Sequence, residues 1–265
     1  MRISFIGGGK MGEAIIRSIL AENIAQASDI TVSDISSERR DMLSREYGVK
    51  STAQNAEAVA GADVVVLAVK PQDIDQLMSE LRPLTGNRIV ISIAAGINLE
   101  TLSKGLEHRI LVRAMPNMPA QISEGVTVWT ATGQVNEEQK EIARSILAAS
   151  GSEIYVTSEK YIDMATAVSG SGPAYVFLIM EALADAAVHI GLSRDIAEKL
   201  VTDTMIGSAL TVRITGKHPA ELRNMVTSPA GTTSEGLMHL EAGALRTLLL
   251  EAVTAAFEKS KKMGG

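Results

Sequence analysis

MRISFIGGGKMG, Met1 to Gly12, is the stretch that decides the fold. Arg2 to Ile6 reads as a short apolar strand. It runs without a linker into Gly7-Gly8-Gly9-Lys10-Met11-Gly12, a G-x-G-x-x-G that opens a helical pattern. A dinucleotide pyrophosphate needs this order: Gly7 permits a tight turn, Gly9 lets phosphates approach the backbone, and Gly12 lets the helix lie close on the strand. The helix N-terminus then faces the anion. Glycine-rich turns are common, and it is the strand before and the helix after that give this one its meaning.

Outward from the loop, Met11, Ile15, Ile16, Ile19 and Leu20 recur at helical spacing and mark a face for packing on a sheet. Ile30 to Asp34 (ITVSD) is the expected second strand, ending in an acid 22 residues beyond Gly12. Asp34 is a candidate for the adenosine ribose, with a turn or helix-capping acid as the alternative. Ser37 to Tyr47 reads as a charged helix ended by Gly48, and Ala53 to Ala60 as a second helical stretch. Asp63 to Val69 (DVVVLAV), Arg88 to Ile93 (RIVISI) and Arg109 to Arg113 (RILVR) are apolar runs of the kind a strand buried on both faces carries. With helical segments between them they predict an α/β domain with a doubly wound parallel sheet. Val126 to Ala131, a helix over Asn136 to Ser150 and Glu153 to Val156 close this domain, expected over residues 1–157.

From 158 to 265 the pattern is helical throughout, and Tyr175 to Leu183 (YVFLIMEAL) carries a single charge. Helices so poor in polar faces need cover on almost every side, which about a hundred residues supply poorly alone. A subunit interface is therefore expected. The balance of 31 acidic against 25 basic residues, with 3% aromatics, argues against nucleic acid as a partner. The absence of cysteine removes disulfides and thiolate chemistry and suits a reducing compartment, here expected to be the cytoplasm. No leader and no membrane span are read, since no stretch reaches about 18 consecutive apolar residues. The four histidines lack metal-site spacing, so no metal is expected.

Four segments fall where such folds place ligands. Val69 and Lys70 end the buried strand before Pro71, and Ala94-Ala95-Gly96 follows the next strand with side chains small enough for a flat ring. Met115-Pro116-Asn117-Met118-Pro119 forces an extended path that leaves Asn117 as its polar reader or as a turn cap. In the helical part, Ser169-Gly170-Ser171-Gly172-Pro173 is a helix entry. Thr227 to Glu235 (TSPAGTTSE) offers Thr232 and Glu235 as a capping box, at a helix start suited to a carboxylate or, equally, at that of a well-capped surface helix.

The ordered set of FIGGGKMG, AVKP (Ala68 to Pro71), SIAAG (Ser92 to Gly96), RAMPN (Arg113 to Asn117), SGSGPAY (Ser169 to Tyr175), and HP followed by VTSPAGTTSEGL resembles the pyrroline-5-carboxylate reductases over almost the full length. The resemblance implies a Rossmann domain, a C-terminal all-helical dimerisation domain and larger assemblies of homodimers. It also implies reduction of L-1-pyrroline-5-carboxylate to L-proline with NADPH first and NADH second. It sets the cofactor candidates as Gly7, Gly9, Lys10, Met11, Gly12, Ser33, Asp34, Arg39, Asn55, Val69, Lys70, Ala95 and Asn117. The substrate candidates are Ser171, Ser228, Gly231, Thr232 and Thr233, with Thr233 also the catalytic candidate beside the ring nitrogen. Three positions depart from the family's common pattern. Ala230 stands where a glycine is usual and must avoid positive φ or bear strain. Met118 replaces a threonine. Ile35 takes the place of an arginine after the second strand, so a 2′-phosphate beside Asp34 needs Arg39 or Arg40 to fold back. A hydroxyacid-dehydrogenase relative is the enzymatic alternative, but the lysine it needs between Gly172 and Ile190 is missing. A non-catalytic relative is the other alternative.

Overall fold

In the computed structural model, which describes residues 1–264, the alternation of strand and helix holds through the first two-thirds of the chain. The strands are β1 (Ile3–Ile6), β2 (Ile30–Ser33), β3 (Lys50–Thr52), β4 (Val64–Leu67), β5 (Ile89–Ser92), β6 (Leu111–Met115), β7 (Gly125–Ala131) and β8 (Gly151–Tyr155). Between them run α1 (Lys10–Ala21), α2 (Ser37–Tyr47), α3 (Asn55–Val59), α4 (Ile74–Leu81), α5 (Leu99–Leu106) and α6 (Glu137–Ala148). The helical remainder is α7 (Lys160–Ala165), α8 (Gly172–His189), α9 (Arg194–Thr215), α10 (Pro219–Met225), α11 (Thr232–Ala242) and α12 (Leu245–Gly264).

One eight-stranded sheet has the order β3-β2-β1-β4-β5-β6-β7-β8. It is parallel except where β7 runs antiparallel to β6, with β8 then parallel to β7. The period of two along each strand explains the continuous apolar runs. Ile3 and Phe5, Val64 and Val66, Ile89 and Ile91 point to one face with α1 residues Ile15, Ile16 and Ile19. Ile6, Val65, Leu67 and Val90 point to the other, where Ile74, Leu77 and Leu81 of α4 and Leu102 and Leu106 of α5 meet them. Both faces are therefore core, as a parallel sheet requires. Trp129 on β7 is fully buried, donates its indole N–H to Glu153 and meets Tyr155 edge-on at 4.7 Å.

Compactness divides the chain into one unit of Met1–Ser171 with the segment from Ala256 onward, and a second of Gly172–Ala255. In the first, the α7 helix ends in a π-turn, Thr166–Gly170, closed by Ser171 N–H donating to the Thr166 carbonyl at 2.8 Å. Arg113, 3% exposed, reaches from β6 to Glu159 and Asp163, each at 2.8 Å, and Glu159 also accepts the Leu99 amide that begins α5. The second unit contains almost no interior. Ala184 and Ala197 are its buried hydrophobics, while Phe177, Leu178, Leu200, Ile206, Leu240 and Leu250 are exposed. The helical run Lys160–His189 is long and apolar enough to cross a membrane, with 11% of its most apolar window buried. This corrects the expectation that no stretch has that character: the scattered polar residues hide it from a count of consecutive apolar ones.

Two further expectations change, and one open choice is decided. Lys50–Thr52 forms a strand that its polar, half-exposed sequence conceals. Helix α11 begins one residue early, with Gly231 as N-cap and no side chain capping it, so Thr232 and Glu235 form no capping box. Ala230 takes φ +57° and thus bears the left-handed strain. Two outcomes follow for denaturation measurements. Arg113→Ala should cost about 2–3 kcal/mol, below the 3–5 kcal/mol typical of breaking a buried pair because Glu159 and Asp163 still reach water. Ala230→Gly should raise stability by up to about 1 kcal/mol as the strain is relieved.

Candidate functional site

The carboxyl ends of β1, β2 and β4 build a cleft of about 420 Å³ lined by Gly7, Gly9, Ser33, Asp34, Asn55, Val69 and Lys70 among others. Its floor is set by two close approaches. Gly7 has φ +98°, and a Cβ on it would stand 2.7 Å from the Ala68 carbonyl oxygen. A Cβ on Gly12 would stand 2.7 Å from the Gly7 carbonyl oxygen. Neither position admits a side chain. Gly9 caps α1 with no side-chain hydrogen bond, and a Cβ there would meet nothing within 4 Å. The first-turn amides of α1 thus open onto free space at the positive end of the helix, which fits a pyrophosphate.

The other end of the cleft is a polar relay. Ser33 Oγ donates to Asn55 Oδ1 at 2.6 Å, and Asn55 Nδ2 donates to Glu80 Oε2 at 2.9 Å. Glu80, on α4, is a cleft residue that no motif marks, because it reaches the site from a helix on the covered face. The Asp34 carboxylate accepts Gly8 N–H on one oxygen and Ser36 N–H on the other, both at 2.8 Å. It locks the glycine loop to the turn after β2, which is a turn role, while the cap of α2 is Ser36.

Neither Arg39 nor Arg40 is part of the cleft lining, and the two are held differently beside it. Arg39 Nε donates to the Gly8 carbonyl at 2.9 Å and its NH2 to Glu13 at 2.8 Å. Arg40 folds back onto the backbone of two lining residues, with NH1 on the Asp34 carbonyl at 2.7 Å and on that of Ile35 at 3.1 Å. Partial burial pushes the Glu13 carboxyl up, but hydrogen bonds from Arg39 and Tyr47 outweigh it and hold the group below its ordinary 4.5. Its contribution is present above that value and is lost as pH falls through the lowered one. Burial and the same carboxylate push the Tyr47 phenol up.

The remaining cofactor candidates lie outside the cleft lining. Lys10 borders a smaller polar pocket with Glu13, Arg17 and Gln121. Met11 packs on the core, and Ala95 is half-buried in the turn after β5. Asn117 is buried, and its Oδ1 accepts the Val126 N–H at 2.9 Å, which ties its loop to β7. Among the substrate candidates, Ser171 ends the π-turn of the first unit. In the second unit, Ser228, Gly231, Thr232 and Thr233 share one turn, closed by Gly231 N–H donating to the Ser228 carbonyl at 3.1 Å. A Cβ on Gly231 would collide with Ser228 Oγ.

Comparison with known proteins places this geometry. Residues 159–263 match the family model described as pyrroline-5-carboxylate reductase dimerisation, and residues 2–96 match that of the coenzyme F420-dependent NADP oxidoreductases. A pyrroline-5-carboxylate reductase of Synechocystis is 40% identical over 100% of this chain and 98% of its own. The structure of a pyrroline-5-carboxylate reductase from Coxiella burnetii superposes with a TM-score of 0.93 at 40% identity, covering 100% and 98% of the two chains. That of pyrroline carboxylate reductase from Plasmodium falciparum with NADP bound gives 0.91 at 32%, with the same coverage. A glycine cradle, a helical unit without a core of its own and full-length similarity of this degree lead to one conclusion: the chain belongs to the pyrroline-5-carboxylate reductase family.

Proposed function

We propose that this chain reduces L-1-pyrroline-5-carboxylate to L-proline with NADPH, and accepts NADH, through the residues described above. One observation carries the assignment of the site: two helices, α1 and α11, begin behind a glycine N-cap that no side chain closes. The reaction has two anionic partners, a dinucleotide pyrophosphate and an amino-acid carboxylate, and such a helix start suits each.

NADPH, when bound, supplies a hydride to the C=N carbon. The bond order of the imine falls as the new C–H bond forms, and the ring nitrogen keeps a proton to give the secondary amine. A cyclic imine is basic enough to be partly protonated near neutral pH, so the protein need not provide a strong acid. In this reading Ser228 and the amides of Gly231, Thr232 and Thr233 bind the carboxylate. The Thr233 hydroxyl holds the ring nitrogen, and Ser171 is a further substrate contact. Gly7, Gly9 and the first turn of α1 hold the pyrophosphate, with Ser33 and Asn55 at the adenosine ribose and Val69, Lys70, Ala95 and Asn117 toward the nicotinamide. Orientation and fixed dipoles are the protein's contribution.

The exposed apolar faces of the second unit are read as subunit interface, in a homodimer that assembles further, within the cytoplasm. The match of residues 159–263 to a dimerisation family supports this over a bilayer contact.

Loss of one well-placed donor costs about 2.7–4 kcal/mol in the transition state. Thr233→Ala should therefore lower kcat/KM by roughly two to three orders of magnitude with folding intact, as followed by nicotinamide absorbance. An unchanged value removes Thr233 from the mechanism. Leu178→Asp, placing a charge on a side chain 65% exposed in the single chain, should shift the sedimenting species toward the 28.1 kDa chain mass. A species of undiminished mass would mean that this face is not the interface.

A further inference from the structure

The phosphate that distinguishes NADPH from NADH must find a cation, and the cleft lining is poor in them. Asp34, Asp73 and Glu80 all line it, and Lys70 is its one basic residue, at the end of β4. The 2′ position of the adenosine ribose is read at the end of β2. There the Ser33 hydroxyl proton is engaged by Asn55, and the Asn55 amide donates to Glu80. A dianionic phosphate at that place meets two acids unless an arginine is near.

We propose that Arg40 is the residue that receives the 2′-phosphate, and that Arg39 has no part in it. This rests on the reductase reading above and goes beyond it to the choice of cofactor. Arg39 is fixed behind the glycine loop, with Nε on the Gly8 carbonyl and NH2 on Glu13, and its side chain is 25% exposed. Releasing it would unpair Glu13 and free the loop. Arg40 is differently placed. Its NH1 is held by the carbonyls of Asp34 and Ile35, which themselves line the cleft, while its Nε and NH2 have no partner among the described residues. Those two nitrogens form the pair of parallel donors that a phosphate accepts.

The neighbouring groups are arranged for the same end. Both Asp34 oxygens accept backbone amides, which draws the carboxylate into the loop and leaves its carbonyl to anchor the arginine. Ile35 is 98% exposed on the cleft and brings no competing charge. Arg40 thus supplies the charge that Ile35 cannot, from the first turns of α2.

Calorimetric titration of the intact protein with 2′,5′-ADP and with 5′-AMP tests this without turnover. In Arg40→Gln the affinity ratio of 2′,5′-ADP to 5′-AMP should fall about tenfold, and Arg40→Lys should recover part of it as a point charge. Arg39→Gln should leave the ratio where it is and lower the melting temperature. Any fall of less than about fivefold in Arg40→Gln, or an equal fall in Arg39→Gln, overturns the proposal; a larger fall confined to Arg40→Gln sustains it. The reductase reading is checked separately. Wild-type protein that turns over pyrroline-5-carboxylate keeps that reading even if Arg40 proves silent. Absence of turnover with either cofactor removes that reading, while the ADP ratio still reports on Arg40.

Discussion

The structure depends on a contact that only glycine allows: the Gly12 backbone lies against the Gly7 carbonyl so closely that a Cβ would stand 2.7 Å away. That contact lowers α1 onto β1. With α1 seated, Ile15, Ile16 and Ile19 reach the same core face as Ile3, Phe5, Val64 and Val66. The sheet order then fixes the site. β1 stands between β2 and β4, so successive crossovers leave from it to opposite sides, and a crevice opens at its carboxyl end. Gly7, turning at φ +98° against Ala68, forms the bottom of that crevice. Local chain sterics, sheet topology and ligand position are one constraint seen at three scales.

The second unit obeys the opposite logic. Its helices are apolar on several faces, yet only Ala184 and Ala197 among its hydrophobics are buried within the chain. Burial of apolar surface contributes about 25 cal/mol per Å2, and a helical unit that leaves Phe177, Leu178, Leu200, Ile206 and Leu250 in water forgoes most of it. Such a unit is half of a folding unit. The family match over 159–263, named for dimerisation, supplies the other half in a second chain.

How much of this was legible in the sequence follows from the range of each interaction. Strands β1, β4 and β5 show as apolar runs because both faces are covered, and the glycine loop shows because steric exclusion acts within six residues. β3 is three polar residues held by its pairing with β2, and nothing in Lys50–Thr52 announces it. The antiparallel turn at β7 depends on pairing with β6, which alternation alone does not encode. Arg39 and Arg40 are adjacent in sequence, and which of them is spent on Gly8 and which on Asp34 is decided by the azimuth of α2 over the loop. Asn117 looks the same in sequence whether it reads a ligand or ties Val126, and only the β7 register puts that amide within 2.9 Å. Glu80 comes to Asn55 from 25 residues away on another element.

The helix starts differ in how they are closed. Ser36, Asn98 and Asn136 close α2, α5 and α6 with side-chain hydrogen bonds, the last in a full capping box with Gln139. At α1 and α11 the chain places glycine instead. Glycine at an N-cap is only a few tenths of a kcal/mol poorer than serine or asparagine, whereas a side-chain cap would fill the space in front of the first amides. An anion at a helix start contributes about 0.3–1 kcal/mol, and more when partly buried, which exceeds the small loss that a glycine cap costs. Ala230 is the less economical choice: a left-handed alanine before Gly231 costs about 1–2 kcal/mol, of which glycine would return up to about 1 kcal/mol after its own unfolded-state entropy. The turn that presents α11 is therefore stiffer than a glycine pair would make it, so the first-turn amides of Thr232 and Thr233 keep a narrower range of orientations.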